Sequence, residues 1–227
     1  MPLQTFINLN TNRQKEIIDT AFEEFAIHSY SSASLGRIIK KLGIAKGSFY
    51  RYFSSKKDLY FFLIKYASDM RLSKVKDLLY SEQKSLFEIL VENFLHKLEF
   101  DLENPLQSGF LYNVIREKAN HEFGNMEYLI KADLLKTVKE ILKKHQQSDP
   151  IRNDVDPDLM AFMIIQVQFG ILDYLTLKYN IDFHESIRKR KSVLSVPREE
   201  IRKVVEEFSA LLKEGFLAKL ETNENIS

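Results

Sequence analysis

The sequence predicts an all-α protein, and three observations carry the prediction. Its 227 residues include only seven glycines and five prolines, the two residues that most disfavour helix interiors. Apolar residues recur at three- and four-residue spacing over most of the chain, the period of a helix face and not of a strand. Capping residues (Thr, Ser or Asp) stand at several points where these runs begin. With 44% hydrophobic and 29% charged residues, the composition is that of an ordinary globular protein. The length suffices for a substantial core in one large or two small domains.

Taken in order, residues 1–10 read as a loose arm. Thr11 to Gln14 fits a capping box, with Thr11 or Asn12 as N-cap. The helix that follows carries Ile17, Ile18, Ala21, Phe22, Phe25 and Ala26 on one face. The serine-rich run 29–34 ends it, and Ser34 caps a second short helix over 34–42. Gly43 lies just past that helix, where a left-handed residue is wanted and glycine adopts it without a Cβ clash. A third short helix starts near Lys46. Its outer face carries Lys46, Ser48, Arg51 and Tyr52, and its inner face Phe49 and Phe53. Two short helices around a tight turn, basic outside and aromatic inside, suit a protein surface that reaches into a DNA groove.

Ser55 with Asp58 signals a long fourth helix over 56–79, whose first turn exposes Lys56 and Lys57 to an anion. Further apolar-faced helices follow over 84–103, 106–118 and 123–145. The polar stretch 146–156 reads as a loop. Asp156-Pro157 opens a helix to about residue 179. That helix is apolar on most faces, which predicts burial nearly all round. The last helix covers 197–220, with Ile201, Val204, Val205, Phe208, Leu211, Leu212 and Gly215 in one stripe.

Charge is unevenly spread. The net charge is +1, yet residues 1–57 hold nine Lys and Arg against four acids, and 58–227 hold 24 against 28. Residues 25–57 contain seven bases and no acid, the footprint of a local polyanion contact. No cysteine occurs, which excludes disulfides, thiolate metal sites and cysteine nucleophiles. No Gly-rich phosphate loop, HExxH helix or nucleophilic serine elbow is found, so an enzyme is not expected. No His and carboxylate spacing makes a metal set, and no cofactor is expected. No apolar run reads as membrane-spanning. The first 15 residues lack the basic start and apolar core of a signal peptide, so the expected location is the cytoplasm, without a membrane partner.

The turn Gly43-Ile44, the run Lys46-Gly47-Ser48-Phe49-Tyr50, then Tyr52-Phe53, Ser55-Lys56 and Leu59 resemble, at fixed spacing, the DNA-binding domain of the TetR-type (tetracycline repressor-like) bacterial regulators. The resemblance covers residues 13–60. Ala45 departs from it where a serine usually caps the reading helix, and Arg37 stands where an acid is common. The resemblance implies an N-terminal three-helix helix-turn-helix domain over 10–70 and a helical effector-binding and dimerisation domain over 71–227. It implies contact with double-stranded DNA through Ser34, Lys46, Gly47, Ser48, Tyr50, Arg51, Tyr52 and Lys56. It implies a homodimer through the helices at 157–179 and 197–220, binding a palindromic operator as a repressor.

A small apolar effector is the further implication. Residues expected to line its pocket are Phe62, Phe87, Phe94, Phe110, Phe123, Tyr128, Phe162 and Phe169, with His96, Asn113, Arg116 and Gln166 as polar members. The alternative is a DNA-binding protein whose C-terminal body binds a protein partner instead. The basic run 188–191 reads as a solvated loop.

Overall fold

A computed structural model describes residues 2–117, 121–146, 151–189, 191 and 196–217. The predicted reach of the last helix to 220, and Arg190 of the basic run, lie outside the described residues. Among them the regular elements are all helices, and an isolated bridge pairs Ile151 with Leu217. The all-α prediction therefore holds. The chain forms two compact units. Residues 97–128 and 181–195 join the N-terminal 74 residues in the first unit, and the rest forms the second. The division thus does not follow a single boundary near residue 70.

In the first unit, α1 (Gln4–Ile7) replaces the expected loose arm. Phe6 is its anchor, 3% exposed. The reason is local: a large ring five residues ahead of the first residue of the next helix finds an aromatic cluster to enter. Helix α2 (Thr11–Ile27) starts one residue earlier than a Thr11 cap would allow. Its N-cap is Asn10, whose side chain accepts from the Arg13 N–H at 2.9 Å. Gln14 is occupied elsewhere, donating to the carbonyls of Ile7 and Leu9.

Helix α3 (Leu35–Leu42) begins at the Ser34 cap and ends at Gly43, whose φ is 63°. The Ile44 N–H donates to the Ile39 carbonyl and the Gly43 N–H to that of Lys40, the paired bonds of a Schellman end. Helix α4 (Lys46–Tyr50) has only five residues, and Ala45 supplies no capping bond. The Ser55 cap is present, accepting from the Asp58 N–H at 3.0 Å, and opens α5 (Lys56–Ser73). This helix stops at Lys74, and the remainder of the predicted long helix is a separate turn, α6 (Lys76–Leu79). The core of the unit is aromatic. Phe22, Phe25, Phe49, Phe53, Tyr60 and Phe110 are all fully buried.

Helix α7 (Leu86–Glu103) gives its last residues to the first unit, where α8 (Pro105–Arg116) packs on α2 and α5. A short helix that the periodicity missed, α11 (Phe183–Arg188), packs on α2 and α8.

The second unit contains the start of α7, most of α9 (Met126–His145), α10 (Pro157–Tyr179) and α12 (Arg198–Phe216). Leu86, Phe87, Leu142, Met160, Ile164, Leu212 and Phe216 form its core. Helix α10 departs from expectation twice. By length and composition it could cross a membrane, with a mean hydropathy of 1.5 over its best 18 residues. A single such helix is weak evidence, since core helices pass the same test.

Nor is α10 buried all round. Leu159, Phe162, Met163, Tyr174 and Leu177 are exposed, and their spacing puts them on one stripe along the helix. Only the opposite face, with Met160, Ala161, Ile164, Ile171, Leu172 and Leu175, is buried in the chain.

Candidate nucleic-acid interface

The outer surface of α3 and α4 is built by side chains turned both ways. Glu24 on α2 accepts the Ser34 N–H at 2.7 Å and the Arg37 guanidinium through Nε at 3.0 Å and Nη2 at 2.5 Å. Arg37 Nη2 also donates to the Ser32 carbonyl at 2.8 Å. Burial pushes the Glu24 carboxyl up, but the bonds from Arg37 and the Ser34 N–H outweigh it and hold it below its ordinary value. One residue earlier, Glu23 pairs with Lys41. Two adjacent carboxylates on α2 thus hold both ends of α3. The unusual Arg37 is the partner that Glu24 requires.

Four of the seven bases between residues 25 and 57 are engaged in this way or a similar one. Lys56 Nζ donates to the Ala33 carbonyl at 2.8 Å and lies 4.5 Å from the Tyr30 ring centroid. Burial lowers its pKa against the pull of Glu122, Glu117 and Glu24. Lys57 Nζ donates to the Glu122 carbonyl at 2.6 Å. Lys40, Lys46 and Arg51 are exposed, and their side chains have no hydrogen bond or ion pair among the described residues. Composition counted seven cations; geometry leaves three of them unengaged. Lys40, at the end of α3, was not singled out by the sequence.

The eight sequence-predicted contact residues fall into two groups. Lys46, Gly47, Tyr50 and Arg51 are exposed. Ser34, Ser48, Tyr52 and Lys56 are half-buried. Ser34 is committed to its cap and Lys56 to Ala33. Gly47 is informative because packing does not require it. A Cβ there would meet no protein atom within 4 Å. Glycine within a helix costs about 1 kcal/mol relative to alanine, so its small size serves nothing inside the described chain.

The residues expected to line a pocket fall in both units. Phe62, Phe110, Asn113, Arg116, Phe123 and Tyr128 belong to the first unit, and Phe87, Phe94, His96, Phe162, Gln166 and Phe169 to the second. Phe62 packs against Phe6, Phe53 and Tyr66, and Phe110 against Phe22, Phe25 and Tyr60, as core. Asn113 donates to the Ala26 carbonyl at the end of α2, at 2.6 Å. Phe123 lies against Tyr30 and Tyr60. Phe87 packs on Phe216, and Phe94 is fully buried. Arg116, Tyr128, Phe162 and Gln166 are exposed, while His96 and Phe169 are half-buried.

A buried polar group escaped sequence reading. Asp101 accepts from Ser108 and, at 2.5 Å, from the Tyr112 hydroxyl, while Lys97 bonds both Asp101 and Tyr112. Burial raises the Tyr112 hydroxyl well above its ordinary value and lowers Lys97. The set ties the end of α7 to α8. Its i, i+4 spacing, Lys97 to Asp101, looks in sequence like any solvated pair. Among the described residues no three metal-ligating side chains come together.

Comparison with known proteins agrees with the geometry. Residues 17–61 match the family model described as bacterial regulatory proteins, tetR family. The chain is 25% identical over 181 residues to an HTH-type transcriptional regulator of Staphylococcus aureus (strain bovine RF122 / ET3-1), covering 78% of this chain and 94% of that one. It is 31% identical over 105 residues to the HTH-type regulator YuxN of Bacillus subtilis (strain 168), of which it spans 36%. A TetR family transcriptional regulator from Chloroflexus aurantiacus J-10-FL superimposes with a TM-score of 0.73 at 26% identity, covering 96% of this chain and 100% of that one. The helix-turn-helix thus matches the tetR family model in sequence, and the fold resembles that of a TetR family transcriptional regulator over nearly the whole chain.

Proposed function

We propose that the protein is a repressor that binds a palindromic operator as a homodimer and is released by a small apolar effector, acting in the cytoplasm. One observation carries the DNA reading: Lys46 and Gly47 of α4 and Arg51 at its C-cap are exposed and have no structural task among the described residues. Arg51 and Lys46 donate to base edges or flanking phosphates, and Gly47 lets the backbone come close. Tyr50 and Ser48 donate to phosphates. Ser34, Tyr52 and Lys56, predicted as backbone contacts, support the surface more than they extend it. Lys40 joins the phosphate contacts, so the salt dependence of binding reflects three cations per chain and not seven.

The homodimer reading is supported by the exposed stripe of α10, joined by Leu211 of α12. Gly170 lies in the same helix, and a Cβ there would meet nothing within 4 Å, which suits a second helix at close range. Two-fold symmetry then sets two copies of α4 on half-sites about one DNA turn apart. The effector reading rests on the family's habit of sensing small molecules. Selection of bound duplexes from a random pool tests the core of the proposal, followed by a screen of apolar compounds for release. A two-fold symmetric site should be enriched. Enrichment of no site, or of an unsymmetric one, overturns the reading.

A further inference from the structure

The reading helix is poorly equipped to hold itself in place. Helix α4 has five residues and no side-chain cap, and so short a segment has no stability of its own. Its position comes from two buried rings, Phe49 and Phe53. Phe53 is in turn held from outside the helix-turn-helix. Its ring centroid lies 5.0 Å from that of Phe6 and 5.4 Å from that of Phe62, and Phe6 lies 5.5 Å from Phe62. Phe6 also meets the Tyr52 ring edge-on at 6.4 Å. The Leu3 N–H donates to the Tyr52 carbonyl at 2.9 Å, two residues past the last residue of α4. Gln14 of α2 binds the arm's far end through the Ile7 and Leu9 carbonyls, both at 2.9 Å.

We infer that the segment from Leu3 to Leu9 is a buttress that fixes the angle of α4, with Phe6 as its positioning residue. This segment lies ahead of the stretch that matches the family model, residues 17–61. It brings no Lys or Arg side chain to a phosphate, because the first Lys or Arg in the sequence is Arg13. Its effect on DNA binding therefore passes through the orientation of Lys46 and Arg51. Loss of the buttress lowers the affinity for the selected site and spares the charge-driven affinity for random duplex.

The inference rests on the DNA-reading role, and the test separates the two. Full-length wild type, Phe6→Ala, Phe6→Leu, Leu3→Pro and Ile7→Ala are titrated with the selected duplex and with a scrambled one. Phe6→Ala should lose at least tenfold on the selected duplex and less than about twofold on the scrambled one. Phe6→Leu should recover most of the loss. Leu3→Pro removes one N–H where φ is −80°, close to the angle proline prefers, and should lose a few-fold on the selected duplex alone. Ile7→Ala, at an exposed position, should change neither. Should Phe6→Ala fail to fold, Leu3→Pro carries the decision. Equal losses on both duplexes, or no loss in Phe6→Ala and Leu3→Pro, overturn the buttress while leaving the DNA-reading role intact. A wild type that prefers no duplex removes both.

Discussion

Helices α4 and α10 are each incomplete, and they are incomplete in opposite ways. The first has five residues and a polar outer side with unengaged cations. The second has 23 residues and an apolar outer stripe, with Leu177 82% exposed. Both contain a glycine whose Cβ would meet nothing in the chain, Gly47 and Gly170. An open glycine beside arginine and lysine suits a close, polar, negatively charged surface. An open glycine between leucine, phenylalanine and tyrosine suits a second apolar helix. The same small residue therefore announces two kinds of partner, and its neighbours say which.

The largest test of this contrast is Leu177→Glu. The side chain is solvated in the single chain, so the fold should survive while the paired state is lost. Sedimentation should show monomer, and operator affinity should fall by about a hundredfold or more, since one half-site alone binds weakly. A dimeric Leu177→Glu protein would break the comparison on the α10 side. Arg51→Ala comes next, with an expected loss of roughly 1–3 kcal/mol on the selected operator and a relaxed base preference at one position per half-site. Competition binding with singly substituted operators reads both.

A sharper probe is Gly47→Ala. If close approach explains that glycine, the variant should melt higher, by up to about 1 kcal/mol of added stability, while binding its operator more weakly. Opposite signs in calorimetry and in binding are the expected pair. A gain in stability with unchanged binding would leave Gly47 without a reason.

The smallest effect is expected from Glu24→Gln. The folded Glu24 carboxyl is held below its ordinary value of 4.5 by Arg37 and the Ser34 N–H, against burial. A depressed acid stabilises the fold fully above its unfolded pKa, and that stabilisation disappears as pH falls through the lower folded value. The wild type should therefore melt a few degrees above Glu24→Gln at neutral pH. The gap should close below about pH 4.5. A gap that is constant across this range would mean that the ion pair with Arg37 contributes nothing to the head.

Much of the fold was legible because helices announce themselves through period and punctuation. The Ser34 and Ser55 caps, the Gly43 turn and the Asp156-Pro157 start are local chemistry, and all stand where the residues placed them. What escaped depends on contacts distant in sequence. Phe6 is an arm residue until Phe53 and Phe62 are brought beside it. Lys56 reads as a free cation at a helix start until Ala33 and Tyr30 occupy it. The pairing of Arg37 with Glu24 spans 13 residues, and no periodicity signals it. The outer side of α4 was the most readable part of the candidate site, because one helix face needs only its own sequence. The pocket residues were the least readable, since an aromatic at helical spacing looks the same whether it faces a cavity or packs in a core.

The exposed stripe on α10 also bears on how the cell doses this protein. A chain that reads DNA only in pairs has an occupancy that rises with the square of its abundance while most copies are single. Halving its synthesis then costs the operator far more than half its coverage. Under the proposed pairing, dilution at cell division becomes a signal in its own right, set by how tightly five apolar side chains along one helix find their copies.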